Sequence, residues 1–244
     1  MFYTEDIIIP YGRPTTFIDS YAMYTEAEKM HILKSTELTY DDFAKLFAPC
    51  PIGAYEESVF FLPHILKYIE KNHSLIIFAQ DEHFKELINN FFIWIVMYNH
   101  FLLQDNIWKF VDSFLYNFFT MLTEQYKLDE CNTPLGAEYI DIFLYSFSYR
   151  GKEHNMTNLT DRYLVQRFTS FESYVDCAWF VFMVYSFMSP NRGLRNAHYS
   201  EVISYWHKDA TLRANATTGI IREVCQNPTL ADYWTVLLDQ AMLF

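Results

Sequence analysis

Eight consecutive residues, Phe91 to Tyr98, read Phe-Phe-Ile-Trp-Ile-Val-Met-Tyr and contain no charged side chain. As a helix this run is apolar on every side, and such a helix has to be surrounded by protein rather than laid on a surface. With Leu87 and Ile88 before it, it forms a central post. The following stretch places Ile107, Val111, Phe114, Leu115, Phe118 and Leu122 at helical spacing, with Lys109, Asp112, Ser113 and Asn117 filling the other face. That spacing predicts an amphipathic helix lying against the first. The span from Leu87 to Leu122 therefore commits the chain to a helix-on-helix core. Six glycines and eight prolines in 244 residues are too few for the frequent turns of a sandwich or barrel, so the predicted class is all-α.

Helix starts are legible elsewhere. Thr25-x-x-Glu28 and Thr39-x-x-Asp42 are capping boxes, in which the threonine oxygen accepts from the third helical N–H and the acid reaches back. They predict a helix over about 26–34 and a short one ending near Ala48, where Pro49-Cys50-Pro51-Ile52-Gly53 breaks the chain. Tyr55, Val59, Leu62, Ile65, Leu66 and Ile69 form the next helical series, which Pro63 must kink or split. Thr133-Pro134 places a capping residue before a first-turn proline, followed by Tyr139, Ile140, Phe143, Leu144 and Phe147 at helical spacing. Residues 148–160 are the most polar uninterrupted stretch and read as a surface loop. Thr169-x-x-Glu172 is a further capping box, predicted to open a second buried post reaching Met188. A helical pattern from about Ser200 to Val224, with a break near His207, and a final helix capped by Asn227-Pro228-Thr229 complete the chain. Short extension is expected only at Ile7–Ile9 and Leu75–Phe78. The expected architecture is a single-domain helical bundle over 1–244, of about nine or ten helices with an extended arm at 1–20. Short connections between amphipathic helices also suit HEAT-like antiparallel pairs.

Composition narrows the function classes. The N-terminus lacks the basic start and apolar region of a secretory signal. The longest apolar run, Ala178 to Met188, falls short of the roughly 20 residues a membrane span needs. A cytoplasmic location is expected. Cys50, Cys131, Cys177 and Cys225 are scattered without a C-x-x-C pair and read as small core residues in a reducing compartment. Net charge is -12, and its distribution is uneven: residues 1–130 hold 19 acids against 9 bases, residues 131–244 hold 11 against 9. An acidic field repels phosphate backbones and anionic lipids, so nucleic acid and membrane partners are disfavoured and a basic protein is favoured.

Candidate sites follow from that imbalance. Asp41 and Asp42 lie in one helix's first turn, Glu56 and Glu57 in another's; Asp81 and Glu82 stand at the start of the central helix. Carboxylates there are favoured by the exposed N–H groups of the helix. They also suit Arg or Lys side chains of a partner. Glu28-x-x-His31 has the spacing of di-iron carboxylate bundles, but a second Glu-x-x-His is missing. Arg162, Arg167, Arg192 and Arg195 flank the second buried helix; pairing with Glu153, Asp161, Glu172 or Glu201 is expected, and convergence on an anion is the alternative. His64 and His100 stand beside apolar stretches. No nucleotide loop, metal quartet or nucleophile elbow is present, so no cofactor or metal is called for. The expectation is a binder that neutralises a basic protein, such as an immunity protein against a toxin domain. The alternatives are a helical-bundle hydrolase or metal-dependent oxidoreductase, and a carrier with an apolar pocket between the two buried helices.

Overall fold

A computed structural model describes residues 9, 11–18, 23–72, 81–104, 106–156, 158–189 and 200–241. These residues are mostly helical, as expected, and contain no strand; Leu128 and Pro134 form an isolated antiparallel bridge. The chain divides into two compact units, Met1–Asn117 and Phe118–Phe244; the division falls inside the helix Ile107–Thr123. Most of Ile7–Ile9 and all of Leu75–Phe78 lie outside the described residues.

In the first unit, α1 (Glu26–Lys34) and α2 (Tyr40–Leu46) begin at the two predicted capping boxes. Pro63 splits the next series into α3 (Tyr55–Val59) and α4 (Leu62–Lys71), because its ring occupies the first turn of α4, where no N–H is needed. The central post is α5 (Glu82–Met97), followed by α6 (Asn99–Gln104) and α7 (Ile107–Thr123). Trp94 of α5 lies 4.9 Å edge-on to Phe47 and 6.0 Å stacked on Tyr55, and Phe91 meets Phe114 of α7 at 6.2 Å. Offset and edge-to-face rings satisfy the aromatic quadrupole while burying large areas. The predicted two-helix core therefore forms, with Trp94 at 1% and Phe114 at 3% exposure.

Part of the N-terminal arm is docked. Phe17 is buried and sits 6.2 Å from Phe61, and the Ile18 N–H donates to Glu57 at 3.0 Å. A side chain at Gly53 would meet the Phe17 ring at 2.6 Å, so this approach requires glycine.

In the second unit, α8 (Ala137–Leu144) leads through a π-helical turn, Tyr145–Arg150, to Glu153. The expected surface loop at 148–160 is thus partly helical: Gly151 and Met156 are buried, and the Met156 N–H closes on the Gly151 carbonyl at 2.6 Å. Pro134 does not start α8. It sits in the bridge with Leu128, and the Asp129 carboxylate gathers the N–H groups of Cys131 and Thr133 at 2.8 Å. Next come α9 (Leu159–Arg167), α10 (Tyr174–Met188), α11 (Glu201–Lys208), α12 (Ala210–Gln226) and α13 (Ala231–Gln240). Helix α10 is the second buried post, with every residue from Cys177 to Ser186 buried.

Three further readings need correction. Helix α10 begins at Tyr174, not at Thr169-x-x-Glu172: the Ser173 hydroxyl accepts from the Asp176 N–H at 3.1 Å, a better-placed cap that leaves Phe168–Glu172 non-helical. Only Cys177 of the four cysteines is a core residue; Cys131 and Cys225 are exposed and Cys50 half-buried. The described helical segments are also more numerous than expected, because Asn99–Gln104 and Leu159–Arg167 are helical where no helix was predicted. Four asparagines, Asn106, Asn132, Asn155 and Asn158, turn the chain with left-handed φ between 55° and 70°.

Candidate functional site

Of the six predicted carboxylates, three are engaged by backbone. Asp42 is buried, accepts from the Thr39 N–H at 2.9 Å and hydroxyl at 2.8 Å, and lies 3.4 Å from His31 Nε2. Glu57 accepts from the Ala54 N–H at 2.6 Å as well as from Ile18. Asp81 caps α5, accepting from the N–H groups of His83 at 3.0 Å and Phe84 at 3.3 Å. The other three are exposed: Asp41, Glu56 and Glu82, the last paired with Lys85 at 2.7 Å.

The structure brings the start of α2 to the start of α5. The Tyr40 hydroxyl donates to the His83 carbonyl at 2.8 Å, and the two rings meet at 6.0 Å, edge to face. Burial raises the Tyr40 phenol above its ordinary pKa, and the charges of Glu86, Asp41 and Asp81 push it the same way. Tyr68 of α4 is raised by burial and then by Asp81 and Asp41. The charges of Asp41 and Asp81 thus reach both half-buried tyrosines and that of Glu86 reaches Tyr40, whereas Glu57 is turned to the N-terminal arm. Sequence reasoning missed Tyr40, Tyr68 and Glu86. The signal available was spacing: Glu86 follows Glu82 by four residues and so shares its exposed helix face.

The remaining candidates are occupied in other ways. Glu28 accepts from the Thr25 N–H at 2.8 Å and pairs with Lys45 at 2.9 Å. The Thr25 backbone, Lys45 and the Thr25 hydroxyl, in that order, lower its carboxyl to about 2. Its neighbour His31 is exposed, beside Asp42. Among the described residues no group of three or more His, Cys, Asp or Glu side chains is placed to hold a metal ion.

Arg167 donates from Nε to the Thr123 hydroxyl at 2.9 Å, from Nη2 to the Thr123 carbonyl at 3.0 Å, and from Nη1 to Asp176 at 3.1 Å. Its acid is none of the four expected. Arg162 lies over the Tyr163 ring at 5.0 Å; Arg192 and Arg195 fall outside the described residues. Asp161 is half-buried, which raises its carboxyl against the lowering influence of the Ser200 hydroxyl and the backbone of Val202 and Glu201 at the start of α11. His64 and His100 are exposed, with His100 against Phe101 at 3.9 Å. No described helix is long and apolar enough to cross a membrane.

Comparison with protein-family models, curated proteins and solved structures found no match for this chain.

Proposed function

We propose that the protein binds and neutralises a basic protein, as a cytoplasmic immunity protein does with a toxin domain, and that the partner docks on the face formed by the starts of α2 and α5. The observation that carries this reading is the junction of the starts of α2 and α5, where the Tyr40 hydroxyl donates to the His83 carbonyl at 2.8 Å and the charges of Glu86, Asp41 and Asp81 all act on the Tyr40 phenol. Tyrosine and carboxylate together suit Lys or Arg: the rings take the apolar stem and the face of the cation, and the acids take its charge. The first unit also holds 16 acids against 8 bases, the second 14 against 10, so the long-range field favours the same unit. HEAT-like pairing of the helices belongs to the same proposal, as a frame that presents such a face.

Asp41 and Glu86 are the residues to neutralise, because Asp42, Glu57 and Asp81 hold backbone and their loss would disturb folding. The partner captured from native lysate is identified, and its association and dissociation rates are measured over a range of ionic strength. Asp41→Asn with Glu86→Gln is expected to slow association and flatten its salt dependence while leaving the melting temperature unchanged. Unchanged rates at low salt, or a captured partner that is itself acidic, would overturn the reading.

A further inference from the structure

The late start of α10 has a second result: residues 168–172 form one wall of an open groove of about 540 Å³ in the second unit. Three rings make its apolar side. Phe168 and Phe171 each stand edge-on to Trp206, at 5.8 Å and 5.4 Å, and lie nearly parallel to one another at 6.3 Å. The opposite wall is one face of α12, where Leu212, Asn215, Gly219 and Arg222 follow one another at spacings of three and four.

Both walls are fixed. The Cys177 thiol donates to the Phe171 carbonyl at 3.1 Å, and burial pushes that thiol up to about 11, so it keeps its proton and its bond. A side chain at Gly219 would run into Cys177 Sγ, so glycine is what lets α12 lie against α10. Such a volume lies within the roughly 300–1,000 Å³ typical of small-molecule sites.

The charges indicate the occupant. Glu172 on one wall and Arg222 on the other are exposed to the groove, and neither is paired with the other or with any described residue. Thr218 donates its proton to the Ala214 carbonyl at 2.8 Å, leaving its oxygen to accept from a ligand. A groove that offers one cation, one anion and an aromatic side is complementary to a molecule with the same three parts.

We propose that this groove binds a small zwitterion with an aromatic body, of amino-acid to dipeptide size, its carboxylate on Arg222, its ammonium on Glu172 and its body against Phe171 and Trp206. An aromatic ligand gains edge or offset contacts with those rings, and a guanidinium offers a carboxylate two parallel hydrogen bonds.

The site lies in the other unit from the partner face proposed above, so either proposal can fail alone. The test uses full-length protein labelled with 5-fluorotryptophan, the Trp206 resonance being assigned with Trp206→Phe. Titrants are L-phenylalanine, glycyl-L-phenylalanine, 3-phenylpropionate and phenethylamine. A saturable shift of the Trp206 resonance is expected with at least one of the two zwitterions. The two single-charge analogues are expected to bind about tenfold or more weakly, a difference of about 1.4 kcal/mol. Arg222→Met is expected to abolish the preference over phenethylamine, and Glu172→Gln the preference over 3-phenylpropionate. Unchanged melting temperatures in both variants separate lost binding from lost fold. A resonance unmoved by either zwitterion at millimolar concentration, equal binding of the analogues, or preferences that survive both substitutions would each overturn the assignment.

Discussion

Helices α5 and α10 are both buried along most of their length, yet they are anchored at their starts in different ways. Helix α5 begins on a local cap, Asp81 reaching two N–H groups within its own first turn. Helix α10 begins on Ser173, but its Asp176 is also held by Arg167, which in turn grips both the hydroxyl and the carbonyl of Thr123. The first is an arrangement among near neighbours in sequence; the second joins the ends of three helices. A local cap lowers the cost of starting a helix, whereas a clamp of this kind also fixes where the helix goes.

If burial dominates in both helices, Trp94→Ala in α5 and Trp179→Ala in α10 will each cost about 3–5 kcal/mol, as will Phe114→Ala, because lost transfer energy and a residual cavity add. Denaturant unfolding reads this directly; a midpoint close to the parent for either tryptophan would break the likeness between the two posts.

The anchors are then separated by the next substitutions. Arg167→Met leaves a mostly buried Asp176 and the Thr123 carbonyl without their partner, and is expected to cost about 2–4 kcal/mol. Asp81→Ala removes one local cap, worth about 1 kcal/mol. Equal losses from these two variants would show that the clamp adds nothing to an ordinary cap.

The smallest effect belongs to Glu28, whose partly exposed pair with Lys45 is screened by solvent. Its folded carboxyl is depressed to about 2 from 4.5, so its contribution is present above pH 4.5 and is lost as pH falls toward 2. The stability difference between the protein and Glu28→Gln is therefore expected to shrink across that interval. A difference that stays constant down to pH 2 would show that the carboxylate is not held more tightly in the folded chain.

The same contrast accounts for what could be read in advance. The capping boxes of α1 and α2, the split at Pro63 and the two apolar posts depend on residues a few positions apart, and periodicity alone reveals them. Local pattern does not settle the α10 start, because two capping patterns, Thr169-x-x-Glu172 and Ser173-x-x-Asp176, follow one another directly in sequence. The bonds from Arg167 to Asp176 and from Cys177 to the Phe171 carbonyl accompany the start at Ser173. A start at Thr169 hides the groove, since it absorbs the aromatic wall into a helix. In the first unit, the Thr39-x-x-Asp42 capping box already shows Asp42 reaching back to backbone, but spacing could not show that Glu57 holds the N–H groups of Ala54 and Ile18. Nor could it show that the start of α2 meets the start of α5; that takes the hydrogen bond from Tyr40 to His83, 43 residues away.

The four left-handed asparagines bear on the state the chain leaves when it folds. Glycine in their places would meet the positive φ without strain, but it would also widen the range of shapes open to the unfolded chain. Asparagine tolerates the same backbone with a side chain present, so Asn106, Asn132, Asn155 and Asn158 reverse the chain without that added freedom. Part of the tendency of this protein to fold thus resides in what its turns deny to the disordered chain, a contribution that no contact in the folded molecule records.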